Sequence, residues 1–338
     1  MKIFKLLILI FLFTNCNEEK KYRISHTYDI NGLQTPSLRF SWKMNSSHNK
    51  AQSAHQITLF TKGLNGKDSD VIIWDSGKTK NSNQLNIPYG GPALKGGLPY
   101  YSKVRIWDSN DTPSEWSEPK QLIASLNYPQ DWKGKWITYD YSPTTPLPVF
   151  RKAFTTKPDK EINYARFNIA APGFYEAYIN GTKIGKNVLD PAQTNYEDYM
   201  FYSSYDIPKE QLNSINILGV MLGNGWYNQN VVWNKSMIYG QPLFLAQLDI
   251  HYTDGSKETI KSDTSWKWQK GPITYTNIYT GEFYDARKEV NDWFKTDSDF
   301  GNWKKATIAE KEPTKIVEQF AEPIKVMDSI VPENIVPQ

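Results

Sequence analysis

GFYEAYINGTKIGKNVLDPAQTNY at residues 173–196, and ILGVMLGNGWY at residues 217–227 after a polar interval, settle the architecture. Apolar and polar residues alternate on both sides of Asn-Gly turns, the period of strands that bury one face. Asn180-Gly181 between residues 174–180 and Thr182-Lys183-Ile184-Gly185 is the signal of a tight type I′ hairpin. This is the grammar of a β-sandwich and not of an α/β core.

The same grammar extends in both directions. Downstream, residues 244–252 and the Asp254-Gly255 turn predict another hairpin, and residues 265–269 and 278–284 two further strands. Upstream, residues 150–154 and 165–169 alternate as strands, so a jelly roll of about eight strands is expected over 132–308. PQDWKGKW at 129–136 reads as the linker into it. Before the linker, short runs at 38–42, 56–60, 71–75, 84–87 and 100–107 are separated by Gly, Pro and Asn. That spacing predicts an immunoglobulin-like or fibronectin type III-like sandwich over 22–128. Residues 309–338 are polar and punctuated by proline, and read as a tail. The fold class is therefore all-β, two sandwiches in tandem.

Composition narrows the function classes. Aromatics are 14% of the 338 residues, with 12 Trp and 21 Tyr, which suits sandwich cores and carbohydrate stacking. The formal charge is +3 and no long Lys/Arg block is present, so a nucleic-acid footprint is missing. Lys2 and Lys5 precede the apolar run 6–13, too short to span a bilayer, which needs about 20 residues. The segment 1–16 reads as a secretory signal ending at Cys16, the only cysteine, where a lipoprotein signal places its acylated residue. The polar run 17–20 that follows resembles the tether of surface-exposed lipoproteins, implying a cell-envelope, outer-membrane location. The four histidines show no metal-ligand spacing, and His48 and His55 are expected in solvated loop positions. Neither a phosphate-binding glycine loop nor a G-x-S-x-G elbow is present.

Four pieces in order carry a resemblance: 173–181; Val188-Leu189-Asp190-Pro191 with Thr194-Asn195-Tyr196; Leu222-Gly223-Asn224-Gly225-Trp226-Tyr227; and 279–287. Together they resemble the N-terminal region of bacterial α-L-rhamnosidases, from about Ser37 to Ala306. Trp74-Asp75-Ser76-Gly77 and the strand at 100–107 resemble the leading domain of those enzymes. The resemblance implies an L-rhamnose-binding module of carbohydrate-binding family 67, with calcium-assisted sugar recognition. In that family the chemistry lies in a downstream helical barrel, for which no room remains after residue 308.

The site residues implied are Asn180, Asn224, Trp226, Trp233, Glu282 and Tyr284 for the sugar, and Asn180, Asn224 and Asp190 for calcium. Calcium takes six to eight oxygen ligands, and amide and backbone oxygens of two Asn-Gly turns are expected to converge at one end of the sandwich. Each asparagine is equally explained as a turn residue, and Asp190 before Pro191 as a turn former. Position 179 is Ile where family members tend to carry an acid. Tyr175 and Tyr227 are further stacking candidates. Glu282, Asp285 and Arg287 form a charged cluster in which Glu282 and Arg287 either pair or reach the ligand. The expectation is a non-catalytic binder of rhamnose-containing polysaccharide, such as ulvan or a pectic polymer, working beside glycan-degrading enzymes. The rivals are the N-terminal part of a split or truncated rhamnosidase and a structural spacer.

Overall fold

A computed structural model describes residues 23–29, 38–45, 51–63, 69–126, 129–142, 145–232, 235–290, 293–295, 302–310 and 315–331. Cys16 and Trp233 lie outside the described residues. Strands of the first sandwich are β1 (Arg23–Asp29), β2 (Arg39–Asn45), β3 (Gln52–Thr61), β4 (Val71–Asp75), β5 (Ile87–Pro88), β6 (Pro99–Asp108) and β7 (Lys120–Ile123). They form a sheet β1-β2-β5 facing a sheet β4-β3-β6-β7. Tyr100, Ser102, Val104 and Ile106 of β6 are buried while Tyr101, Lys103 and Arg105 between them look outward, the period-2 alternation of a half-buried strand. Phe40, Trp42, Ile57, Leu59, Val104 and Leu122 fill the interior. His55 lies inside β3 and is 2% exposed, packed 5.0 Å from the Trp42 ring. It is not the solvated loop residue expected, because the strand begins before the apolar run that announced it.

The second sandwich begins with β8 (Ile137–Thr138), β9 (Pro148–Thr155), β10 (Ile162–Ala170), β11 (Phe174–Ile179), β12 (Thr182–Lys183) and β13 (Tyr199–Ile207). It continues with β14 (Ile215–Gly223), β15 (Asn228–Val232), β16 (Lys235–Ile238), β17 (Leu245–Tyr252), β18 (Lys257–Lys261) and β19 (Lys267–Lys270). Last come β20 (Ile273–Asn277), β21 (Gly281–Tyr284), β22 (Lys304–Lys305), β23 (Thr307–Ile308) and β24 (Lys315–Glu318). A five-stranded sheet β18-β17-β10-β13-β24 packs on a six-stranded sheet β12-β11-β14-β9-β19-β22. Phe150, Phe167, Phe244, Leu248 and Trp266, none more than 0% exposed, interdigitate between them. Among the described residues there is no α-helix. The all-β, two-sandwich architecture is as expected.

Three details differ from the sequence reading. The polar interval holds β13, a central strand pairing β10 on one side and β24 on the other. Its YMFYSSYDI does not alternate because its middle is covered on both faces. Residues 278–284 are not one strand: β20 ends at Asn277 and β21 starts at Gly281, with Ile273 paired to Tyr284. Finally, β24 lies within the stretch read as a tail, yet it joins the sandwich in parallel with β13.

Candidate functional site

The β11–β14 register fixes where the two Asn-Gly turns stand. Phe174 pairs with Gly223 and Ile179 with Leu218, so Asn224 follows one end of this ladder and Asn180 the other. Six residues at about 3.3 Å each put them roughly 20 Å apart. They do not converge on a common ligand.

Asn180 is in the left-handed region (φ 50°) and its side chain is spent on the fold. Its Nδ2 donates to Gln211 O and Asn216 Oδ1, both at 2.8 Å, and its Oδ1 accepts from Ile217 N at 2.8 Å. Asp190 is 3% exposed. Its Oδ2 accepts from Tyr175 Oη (2.8 Å), Tyr205 Oη (2.7 Å) and Ser203 Oγ (2.6 Å), and its Oδ1 from Gln319 Nε2 (3.1 Å). Burial, with Tyr205 and Asp190 next, holds the Tyr175 hydroxyl well above the usual phenol range, so it stays a donor. Asp190 is a buried hub joining β11, β13 and the residue after β24; Tyr175 is part of that hub and not a stacking platform. The calcium set Asn180, Asn224 and Asp190 therefore does not fit the ion. Among the described residues, no three His, Cys, Asp or Glu gather where a metal ion could be held.

The Asn224 end is built differently. Gly173 (φ 97°) and Gly225 (φ 48°) let two chain segments touch: a Cβ on Gly173 would meet Gly223 O at 2.5 Å, and one on Gly225 would meet Gly173 C at 2.6 Å. The turn that follows is pinned to the β20–β21 hairpin. Asn224 Nδ2 donates to Thr276 O at 3.3 Å, and Gln229 Oε1 accepts from Ile278 N at 3.3 Å. Asn228 Nδ2 donates to Tyr141 Oη (2.8 Å) and Asn224 Oδ1 (3.3 Å), while Asn228 Oδ1 is buried with no protein partner. Tyr141, Asn224, Asn228, Tyr275 and Asn277 line a polar notch of about 30 Å³, the size of one water or one hydroxyl group.

Beside the notch stands a wall of rings. Trp226 is half-buried and meets Tyr279 edge-on at 5.7 Å. Tyr275 and its cross-strand neighbour Phe283 lie 5.1 Å apart. Tyr279, Phe283 and Tyr284 are 54%, 64% and 51% exposed on one short hairpin. Solvated rings of that size cost about 25 cal/mol per Å² of apolar area relative to covered ones, so the face that bears Phe283 and Tyr275 is ready to be covered, while Tyr284, the next residue along β21, points to the opposite face. Tyr227, in contrast, is buried against Tyr196 at 5.2 Å and belongs to the core.

The charged cluster also differs from expectation. Arg287 pairs with Asp285, not Glu282, through Nε at 2.8 Å and Nη2 at 2.9 Å. Arg287 thereby holds the Asp285 carboxyl down at about 2. Glu282 is paired across the hairpin with Thr276 and stands exposed, on the face opposite Phe283. Tyr284 Oη donates to Glu289 Oε1 at 2.8 Å. Of the residues read from the sequence, the structure thus joins Asn224 and Trp226 to the hairpin that bears Glu282 and Tyr284. Tyr141, Asn228, Tyr275, Asn277, Tyr279 and Phe283 were missed. Asn228, four residues after Asn224 behind Trp226-Tyr227, was the nearest available signal.

Residues 160–328 match the family described as Alpha-L-rhamnosidase N-terminal domain, and residues 20–127 match the Rha78A-like N-terminal immunoglobulin domain. An alpha-L-rhamnosidase of Formosa agariphila is 33% identical, over 98% of this chain and 39% of its own length. Another, from Alteromonas, is 31% identical over 89% of this chain and 34% of its own length. The chain thus spans well under half the length of these relatives. Among solved structures, an alpha-L-rhamnosidase from Dictyoglumus thermophilum superposes with a TM-score of 0.76 at 36% identity, over 90% of this chain and 36% of that one. A Streptomyces avermitilis alpha-L-rhamnosidase, solved with L-rhamnose, shares the fold with a TM-score of 0.80 at 22% identity, over 91% of this chain and 47% of that one.

Proposed function

The chain belongs to the alpha-L-rhamnosidase N-terminal domain family, and we propose that it is a non-catalytic module binding rhamnose-containing glycans at the Asn224–hairpin surface. The observation that carries this reading is the set of exposed rings on β20–β21 beside a hydroxyl-sized amide notch. A 6-deoxy sugar has one apolar corner, its methyl group, and a ring of hydroxyls. Tyr275, Phe283 and Tyr279 offer cover for the former. The unpartnered Asn228 Oδ1 and the Tyr141 hydroxyl offer hydrogen bonds to the latter. The relatives' activity as rhamnosidases and the sugar bound in one solved neighbour support rhamnose as the sugar.

Recognition here is by rings and amides, without the calcium ligand set expected from the sequence. One weak sugar site gains avidity when the protein is held at a surface, and acylation of Cys16 at the outer membrane would supply that. Metabolic labelling with a radioactive fatty acid, lost in Cys16→Ser, checks the tether. Calorimetric titration of L-rhamnose, with calcium and then with excess EDTA, checks the site. The reading expects heat that survives chelation and disappears in the Tyr275→Ala/Phe283→Ala double variant.

A further inference from the structure

The first sandwich carries an organised surface that the rhamnose reading does not use. On the outer face of the β4-β3-β6-β7 sheet, cations and rings alternate in single file. Lys62 Nζ lies 4.6 Å from the Tyr101 ring centre, and Tyr101 stacks on Phe60 at 5.8 Å. Lys103 Nζ sits between Phe60 (5.4 Å) and Trp116 (5.0 Å). Arg105 Cζ sits between Trp116 (4.7 Å) and Trp107 (4.9 Å), and Lys78 Nζ closes the row 4.8 Å from Trp107. The alternation of β6 dictates this arrangement: Lys103 and Arg105, two residues apart on one face, are about 7 Å apart along the strand. Ring quadrupoles hold each cation in place and fix its orientation.

The row is under-neutralised. Among the described residues only Lys78 of the four carries a salt bridge, to Asp111. Arg105 Nε instead donates to the amide oxygen of Gln56 at 2.8 Å, and Gln56 Nε2 takes up the Asp75 carboxylate at 2.7 and 2.9 Å. An uncharged amide thus stands between that acid and the guanidinium. The whole chain has only three more basic than acidic residues, so a file of four cations is a local feature and not a by-product of composition. Charges spaced more closely than the Debye length, about 8–10 Å at ordinary salt, act as one field on a ligand that runs along them.

We propose that this cation–ring row is a docking track for a polysaccharide carrying sulfate or carboxylate groups along its chain. The choice of a polysaccharide among polyanions rests on the glycan-binding reading above; the charge complementarity does not. The two classes of anionic group offer the same chemistry, oxyanions that accept from lysine and arginine N–H donors.

Retention of the full chain on immobilised dextran sulfate, polygalacturonate and neutral dextran tests this across a salt series. Wild type is expected to bind one or both polyanions and not neutral dextran. Affinity should fall at least tenfold between about 0.05 and 0.3 M NaCl, as screening shortens the field. Lys62→Gln/Lys103→Gln should weaken polyanion binding at least tenfold while leaving the melting temperature and the L-rhamnose titration unchanged. Tyr275→Ala/Phe283→Ala should show the reverse, so a failed rhamnose site and a failed track give different patterns. The proposal is overturned if the double-glutamine variant binds like wild type, or if neutral dextran binds equally. It is overturned too if duplex DNA or phosphatidylglycerol vesicles bind the same residues as tightly as the best polysaccharide does.

Discussion

Replacing Asn180 by alanine removes the acceptor of the Ile217 amide and the donor to Gln211 and Asn216. At roughly 1 kcal/mol for each of the three lost bonds, stability should drop by about 3 kcal/mol with sugar affinity untouched, as thermal melting and calorimetry on one preparation would show. Asp190→Ala strands three hydroxyls and the Gln319 amide in a dry interior and should cost about 3 kcal/mol or more, again with no specific effect on the ligand. Had either residue been a ligand, the two readouts would exchange. Histidine gives the pH dependence. Burial, and then Lys257, lower the His251 pKa to about 4, only partly opposed by Asp249, and its ring stacks on Tyr164 at 4.2 Å. Burial lowers His55 in the same direction. A folded pKa below the unfolded value near 6.5 means that the unfolded chain takes up the proton first. Stability from these residues is therefore complete above about pH 6.5 and declines as the pH falls toward 4. Melting curves of His251→Gln should be flatter over that window than wild type. At this scale the sequence was legible where the cause is local: Asn180-Gly181 is the αL turn that its dipeptide announced. The partners of Asn180 were not, because they sit 31 and 36 positions away and are chosen by strand register.

Strands report themselves when one face is wet. β6 and β11 alternate in burial and are legible in the sequence; β13, paired between β10 and β24, shows no alternation and carries no such signal. The candidate site is hidden for the opposite reason: β21 is exposed on both faces, and a turn at residues 278–280 breaks the strand expected over 278–284 and pairs β21 back onto β20. No pattern in residues 273–284 says that Asn277 is buried while Tyr279 is not. The hairpin is held to β14 by the turn after Gly223, and that turn needs the close approach at Gly173. Gly173→Ala combines a left-handed φ of 97° with a Cβ 2.5 Å from Gly223 O, and is expected to destabilise by 1–3 kcal/mol or more. It should also weaken sugar binding, since the notch and ring wall move with the turn. Tyr275→Ala/Phe283→Ala, by contrast, removes rings from solvent and should alter the melting temperature little.

Two tandem sandwiches could be read from strand spacing alone, but what fastens them could not. Leu126, leaving the first sandwich, donates its N–H to Tyr202 Oη at 2.7 Å, and Ser125 Oγ donates to Glu318 of β24. Gln319, one residue on, reaches the Asp190 hub. A strand that sequence reading leaves in a tail therefore clamps both halves, and truncation after residue 314 should lower the melting temperature by several degrees and expose the edge of β13. Sugar recognition at the whole-molecule level rests on the ring-and-amide surface beside Asn224, without calcium. Calorimetric titration of L-rhamnose into wild type and Tyr275→Ala/Phe283→Ala, each with calcium and with excess EDTA, addresses it most directly. Wild type should give the same binding heat in both buffers, and the double variant should lose affinity by tenfold or more, about 1.4 kcal/mol. Heat that vanishes on chelation, or a double variant that binds like wild type, would contradict calcium-free recognition at this surface.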